Sequence, residues 1–538
     1  MQDANSTLEH VTLRALKRLK ALNQPMKVGD STGVKLSSRD LLIRSLALRR
    51  YLLREVLSDD EKRVGVFLPP TVPGIATNLA LSLAGRVTVN LNYTASSAQL
   101  KQCCELAGLK HVITSRKFIE KVGLDVGVPQ VFLEDVRDRI TLGDKLSALL
   151  NVRLRSAHSL HRALGLSGLR ASDPLTILFT SGSTGFPKGV VLSSGNVSSN
   201  IDGINELVHL SERDVVMGIL PLFHSFGYTV TLWTPLCLDC ACAYHFSPLE
   251  ARPIGKLAHD FKATILIATP TFLRSYIRRV EPEQFKTLEV VIVGAEKMPI
   301  DVAEEFEKRF GVRPVEGYGT TELSPVVSVN VPKSRATSNR PRLREGSVGI
   351  PYSQVEARVV SVDTDQPLAT GESGLLEIRG PNVMQGYLDR PDLTAEVMHD
   401  QWYRTGDMAK IDKDGFIHIT GRLSRFSKIG GEMVPHVLIE QTISDIVGLD
   451  DEGLQRVAVA SVPDPKRGER IVVLHTAGLG MKPGQIVEKL SDKGLPNIYL
   501  PSEDSFAEVE AIPMLGTGKL DLKALQQAAK DLFAGAAK

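Results

Sequence analysis

Cysteine is scarce in this chain, five in 538 residues, too few for a disulfide framework, so a conventional core must hold the fold. Excess charge is missing as well. Sixty-four Lys and Arg stand against sixty-two Asp and Glu, a formal net charge of +2, which excludes a polyelectrolyte and nucleic-acid binding driven by overall charge. Uninterrupted apolar runs of spanning length, roughly 18 residues, are absent too. The two uncharged stretches that are long enough, Val64 to Gly85 and Val215 to Leu238, are broken by Pro69, Pro70, Pro73 and Asn78 in one and by Pro221, His224 and Ser225 in the other. The first thirty residues lack the apolar core of a secretory signal. These absences predict a chain of the reducing cytoplasm without spanning helices, and they leave peripheral contact with the inner membrane open. What is present is ordinary globular material, 43% hydrophobic and 23% charged. At about 150 residues per domain the length accommodates three or four units.

Helix-period and strand-period segments alternate along most of the chain, the pattern of a layered α/β fold. Ser38 to Leu53 reads as a helix with leucines on one side and Ser38 and Asp40 at its start. Arg63 to Leu68, Leu175 to Phe179, Thr264 to Ala268, Val290 to Val293 and Arg313 to Val315 read as buried strands, each running into a turn rich in Gly, Pro, Ser or Thr. Open α/β sheets place their ligands at such turns. Beyond Gly346 the apolar runs shorten and Gly and Pro recur, predicting a β-rich subdomain with strands at Glu356 to Val362, Gly374 to Arg379 and Phe416 to Thr420. From Arg422 a further set of helix and strand patterns begins and ends in a helix from Leu522 to Phe533. The expected division is a large layered N-terminal domain, 1–421, and a small α+β C-terminal domain, 422–538.

One stretch departs from the balanced charge. Between Arg137 and Arg170 seven basic residues, Arg137, Arg139, Lys145, Arg153, Arg155, Arg162 and Arg170, face only Asp138 and Asp144, with leucines interleaved. A solvated helical insertion and a segment lying on an anionic lipid surface both fit this composition.

The strongest chemical signal is Thr180-Ser181-Gly182-Ser183-Thr184-Gly185-Phe186-Pro187-Lys188-Gly189, directly after a buried strand. Glycines let backbone N–H groups converge on an anion, hydroxyls add donors and Lys188 brings a positive charge, so the run reads as a phosphate cradle. It is not a Walker A loop: two residues part Gly185 from Lys188, and no Ser or Thr follows the lysine.

This loop resembles the phosphate-binding signature of the adenylate-forming (ANL) superfamily, and further signatures of that family follow in order. Gly317-Tyr318-Gly319-Thr320-Thr321-Glu322 is similar to its adenine and magnesium motif, and Tyr403-Arg404-Thr405-Gly406-Asp407 to its ribose motif. Gly421-Arg422 resembles its domain junction, and Gly516-Thr517-Gly518-Lys519 its C-terminal lysine loop. Within the superfamily, Pro221 to Gly227, Gly294-Ala295-Glu296-Lys297, Ser328 to Pro332 and above all Arg425 to Val434 resemble acyl-[acyl-carrier-protein] synthetases. These include the ligase half of bifunctional enzymes that reacylate lysophospholipids; long-chain fatty-acid–CoA ligases are also similar.

The resemblance implies an ANL adenylating-enzyme fold and an ATP- and Mg²⁺-dependent activation of a carboxylic acid to acyl-AMP. The acyl group then passes to the phosphopantetheine thiol of acyl carrier protein or of CoA. It implies that Lys188 and the loop Thr180, Ser181, Gly182, Ser183, Thr184 and Gly185 hold the phosphates. Glu322 and Thr184 would bind Mg²⁺, Thr321 would add a hydroxyl, and Tyr318 would pack on adenine with Gly317, Gly319, Thr320, Ala295 and Glu296 around it. Asp407 and Arg422 would hold the ribose. Lys519 would meet the charge that develops during adenylation and leave when the C-terminal domain rotates, and Gly431 would line the pantetheine tunnel. Where most relatives carry an aspartate at the domain junction this chain has Ser424, followed by Arg425, so the pivot residue is open.

The stretch after His224, Ser-Phe-Gly-Tyr-Thr-Val-Thr-Leu-Trp-Thr-Pro-Leu, carries no acid to neutralise an α-ammonium group. Burying that ammonium without a counter-charge is costly, so a fatty acid is expected rather than an amino acid. His224 is counted with the candidate catalytic residues, as a gate of the pocket or a neighbour of the carboxylate, with a structural histidine as the alternative. A non-catalytic nucleotide-binding scaffold is the rival from another class, although Lys188, Glu322, Asp407 and Lys519 are all retained. Cys237, Cys240 and Cys242 read as buried thiols rather than a zinc site. His209 and Asp214, at the spacing of a glycerolipid acyltransferase motif, read as a chance match.

Overall fold

The computed structural model describes residues 8–21, 24–181, 186–336, 342–430, 432–448, 455–465, 467–514 and 520–533. Two large sheets form the frame. In the first, of nine strands, Val315–Gly319, Val290–Val293, Ile265–Ala268, Val215–Gly218, Ala241–Tyr244 and Val28–Asp30 lie parallel in that order, with antiparallel neighbours at each edge. The second, of seven, runs Gly386–Tyr387, Pro187–Ser193, Pro174–Ser181, Val87–Asn90, Arg63–Val66, Val112–Thr114, Gln130–Phe132. Strands Ile265–Ala268, Val290–Val293 and Ala241–Tyr244 are buried along their whole length, as in a sheet covered on both faces.

Helices Val72–Leu83 and Ser194–Val208 touch strands of both sheets, and nearly all of their residues are buried. A helix in that position has no polar face to present. This explains the uncharged stretch from Val64 to Gly85: it is the filling between two sheets. The stretch from Val215 to Leu238 resolves into a buried strand, the π-helical segment Phe226–Trp233 and the short helix Thr234–Cys237. Among the described residues no helix is long and apolar enough to cross a membrane.

A five-stranded sheet follows, with Glu356–Val360, Gly374–Arg379 and Trp402–Ile411 antiparallel and Ile417–Arg422 paired to the last of these. Two expectations need correction. The cap of helix Ser38–Glu55 is Ser37, whose hydroxyl accepts from the Asp40 N–H, because a cap must sit outside the first helical residue. The strand expected to end at Val315 instead begins there and carries the Gly317-Tyr318-Gly319 motif within it. Its three glycine and tyrosine positions masked the strand pattern.

Beyond Arg422 two apolar clusters consist only of later residues, one around Ile439, Val459, Ile471 and Ile486, the other joining Ala458, Ala460 and Val472 to Leu525 and Ala529 of helix Leu522–Phe533. Arg425 is buried here, paired with Glu440 and donating to the Val459 carbonyl at 3.1 Å. Beside it His436, also buried, shares a 2.6 Å hydrogen bond with Ser427. Burial, and then the Arg425 charge, push its imidazole down from 6.5 to about 3. The unfolded chain therefore takes up a proton between those values that the native state refuses. Stability is complete above about pH 6.5 and falls with pH below it, by at most about 1.4 kcal/mol per pH unit from this group. Urea midpoints measured from pH 7 to pH 5 should fall more steeply for the parent than for a His436→Gln variant; parallel slopes would remove His436 as the cause.

Candidate active site

The phosphate-cradle motif lies at the paired ends of the antiparallel strands Pro174–Ser181 and Pro187–Ser193, with Thr180 opposite Lys188 and Ser181 opposite Pro187. Gly182, Ser183, Thr184 and Gly185 lie outside the described residues, as does the Ser181 side chain. Lys188 Nζ stands 5.3 Å from the centroid of the Tyr387 ring. Tyr387 reaches this place because strand Gly386–Tyr387 pairs with Pro187–Ser193 at the sheet edge. Its hydroxyl donates to Glu322 Oε1 at 2.9 Å. Burial and the Glu322 charge hold the phenol well above its usual range, so it remains a donor at neutral pH.

Glu322 sits on the short turn Thr321–Leu323, immediately after strand Val315–Gly319. The strand ends in a bulge between Tyr318 and Gly319, and a Cβ at Gly319 would lie 1.9 Å from the Pro325 carbonyl oxygen, so only glycine fits. The turn is clamped from two sides. Asn200 donates to the Leu323 and Val326 carbonyls at 3.1 and 3.0 Å and accepts from the Val326 N–H at 3.0 Å. Asn382 adds a second donor to Leu323 at 3.1 Å, and the Glu322 carbonyl accepts from the Met384 N–H at 2.8 Å. Thr321 accepts from Ser225 Oγ at 3.3 Å, which brings the segment after His224 to the same turn. The Thr320 hydroxyl is buried beside the Tyr403 phenol.

On the other flank Asp407 and Arg422 are directly opposed in the pairing of Trp402–Ile411 with Ile417–Arg422. The Arg422 Nε lies 3.0 Å from Asp407 Oδ1, and the Tyr318 hydroxyl donates to Oδ2 at 2.5 Å. The Asp407 carboxylate is buried. Burial raises its pKa, and the Arg422 charge opposes that shift. The Arg422 side chain remains 63% exposed. Tyr318 is thus oriented through its hydroxyl, and it joins strand Val315–Gly319 to strand Trp402–Ile411.

His224 is exposed, its ring 4.4 Å from that of Phe223, and its carbonyl accepts from the Tyr228 N–H at 2.8 Å. From Gly227 to Trp233 the π-helical segment is buried throughout and carries no charged residue. Such segments recur at functional sites. Phe226 packs over Gly294, where a Cβ would lie 3.2 Å from the ring. Ala295 holds a left-handed conformation, φ 67°, and Glu296 accepts from Thr271 N and Oγ1 at 3.3 and 2.7 Å; its bonds go to that helix start and not to the Lys188–Glu322 row. Gly431 and Lys519 lie outside the described residues.

Sequence reasoning passed over Tyr387, Asn200 and Asn382. Only the Gly386-Tyr387 dipeptide beside a run of turn residues could have signalled the first; a clamping asparagine has no local pattern. The two discounted features have structural partners. Asp214 is buried and accepts from Arg335 Nη1 at 3.0 Å and Nη2 at 2.5 Å. Cys237, Cys240 and Cys242 are free and buried, and burial pushes the first two thiols up to about 12.

Known proteins are similar to this chain. The model of the family described as "AMP-binding enzyme" matches residues 17–388. A long-chain-fatty-acid–CoA ligase of Bacillus subtilis is 27% identical over 504 residues, 88% of this chain and 87% of that protein. A feruloyl-CoA synthase of an Amycolatopsis species is 29% identical over 354 residues, 65% of this chain and 68% of that one. Among solved structures, ATP-bound MatB from Rhodopseudomonas palustris superposes with a TM-score of 0.77 at 25% identity, covering 97% of this chain and 99% of that chain. With the family model spanning more than half of its length and the adenylate-forming fold in place, the chain belongs to the AMP-binding enzyme family.

Proposed function

We propose that the protein activates a fatty acid on ATP and passes it to a phosphopantetheine thiol. One observation carries the reading: around a single bulged strand end, Tyr318 meets Asp407, itself paired with Arg422, on one side, while on the other Glu322 meets Tyr387, whose ring lies under Lys188. A nucleoside triphosphate suits that span. Asp407 accepts from ribose hydroxyls, an ionised carboxylate being acceptor-only, and Arg422 donates beside it. Lys188 and the motif residue Thr184 hold phosphate oxygens, and the Thr320 and Thr321 hydroxyls supply further polar contacts. Glu322 fits Mg²⁺, an ion satisfied by one or two carboxylates with water and phosphate oxygens, which would offset the charge of the polyphosphate.

In the first step a carboxylate oxygen bonds to the α-phosphorus and the bond to pyrophosphate breaks. Lys519 meets the developing charge. In the second, the thiol sulfur bonds to the acyl carbon, the acyl–phosphate bond breaks, AMP leaves with the electron pair and the thiol proton is released. Residues 422–538 act as a module that changes position against 1–421 between the steps, with Gly431 then beside the pantetheine. The uncharged segment Gly227 to Trp233 supports an alkyl chain as the acyl group. The names of the relatives favour CoA as acceptor, whereas the Arg425 to Val434 segment resembles ligases of acyl carrier protein.

The test is exchange of labelled pyrophosphate into ATP with a panel of fatty acids, followed by single-turnover transfer of the acyl group to CoA or to holo acyl carrier protein. Exchange that appears only with fatty acid is the expected result. Retained ATP binding without exchange for any acid would identify a scaffold instead, and transfer to CoA alone would discard the carrier protein.

A further inference from the structure

Helix Leu142–Leu154 buries Asp144, Ala148 and Val152. Asp144 anchors it to helix Ser38–Glu55, receiving Arg50 at 2.9 Å and Arg54 at 2.6 Å. A second series with the same step of four, Leu142, Leu146, Leu150 and Leu154, is exposed to 83, 56, 45 and 78%. At 3.6 residues per turn, series offset by two residues point about 200° apart. The leucine row therefore stands on the side opposite the packed face, along a helix about 20 Å long. Solvent-exposed leucines are unremarkable singly, but four in one continuous row are not.

The charge around the row has one sign. Lys145, Arg153 and Arg155 are exposed on the helix or just beyond its end, as are Arg139 before it and Arg162 after it. Between Arg139 and Arg170 the only carboxylate is Asp144, which is buried under two arginines, and Asp138 is bonded to Arg137 at 3.2 Å. The sequence left a solvated insertion and a lipid-facing segment open for this stretch. The leucine row is what a merely solvated insertion does not need.

We propose that helix Leu142–Leu154 seats this protein on the surface of an anionic lipid bilayer, the four leucines entering the boundary of the acyl chains and the flanking cations meeting the headgroups. An apolar row edged by cations matches a surface whose apolar interior lies beneath a negative layer. An acidic protein partner would answer the cations but not four adjacent leucines. A single helix of this length gives reversible attachment, not insertion.

Flotation of the full chain with vesicles of phosphatidylglycerol and phosphatidylethanolamine, against vesicles of phosphatidylcholine, tests this without reference to catalysis. The parent should float with the anionic vesicles and about tenfold less with the neutral ones. A variant carrying Leu142→Gln, Leu146→Gln, Leu150→Gln and Leu154→Gln should lose binding by about tenfold or more, with an unchanged urea midpoint because these side chains are exposed. Lys145→Gln with Arg153→Gln and Arg155→Gln should reduce anionic binding towards the neutral level. The proposal is overturned if the parent does not float, or if the leucine variant floats like the parent. A concentration-dependent dimer lost in the leucine variant, without vesicle binding, would overturn it in favour of a second copy of the chain.

Discussion

Asp407→Ala should lower fatty-acid-dependent pyrophosphate exchange by about 10²-fold or more, chiefly through a higher KM for ATP. The Asp407 carboxylate is buried at the bottom of the site with Tyr318 on one oxygen and Arg422 on the other. A hydrogen bond to a charged group contributes about 1.5–3 kcal/mol, so losing the bonds proposed for two ribose hydroxyls would cost a factor of this size. Further cost comes from the Tyr318 hydroxyl and Arg422, which are left without their shared acceptor. Asp407→Asn separates the two effects. It keeps the volume but turns one acceptor into a donor that must face either the Tyr318 hydroxyl or the arginine, so it should weaken ATP almost as much while disturbing the fold less. An unchanged KM for ATP in both variants, with only the urea midpoint lowered, would reduce Asp407 to a brace between two strands.

The contrast between Asp407 and Tyr387 shows what could be read before the fold. Asp407 stands out because Tyr403-Arg404-Thr405-Gly406-Asp407 is a contiguous motif, and its register opposite Arg422 follows from two adjacent strands. Tyr387 enters the site only because a two-residue strand joins the edge of a seven-stranded sheet, an event with no local signature. Asn200 is similar: it lies within a helix and acts on a turn more than a hundred residues later. Buried strands such as Val290–Val293 and the last helix, Leu522–Phe533, were legible to the residue because their periodicity is set by burial alone. The motif strand Val315–Gly319 was not, since its composition serves close backbone approach at Gly319 more than strand propensity. The basic leucine-rich stretch was legible as a composition, but its division into three short helices and its outward row of leucines required knowing which face helix Ser38–Glu55 covers.

The second large effect separates the two halves of the reaction. Lys519→Ala should slow formation of acyl-AMP by about 10²–10³-fold, the cost of removing one donor aimed at developing charge. Transfer from supplied acyl-AMP to the thiol should stay within a few-fold of the parent. The asymmetry follows from where charge accumulates. Adenylation brings a carboxylate against a triphosphate, so a cation there acts on the transition state; thiol attack on a mixed anhydride takes place after pyrophosphate has gone. The lysine itself lies outside the described residues, between Met514 and Leu520, which form a bridge, in a part of the chain where two apolar clusters are made only of residues beyond Arg422. That part follows directly on strand Ile417–Arg422, whose last residue, Arg422, is the partner of Asp407. Arg425, three residues on, is paired with Glu440 in the later core, while nearby Leu423 and Phe426 pack against Val360, Leu375 and Met408. Stopped-flow measurement of each half-reaction decides the matter: equal losses in both would remove Lys519 from adenylation, and a loss confined to thiol transfer would reverse the order in which the module presents its residues.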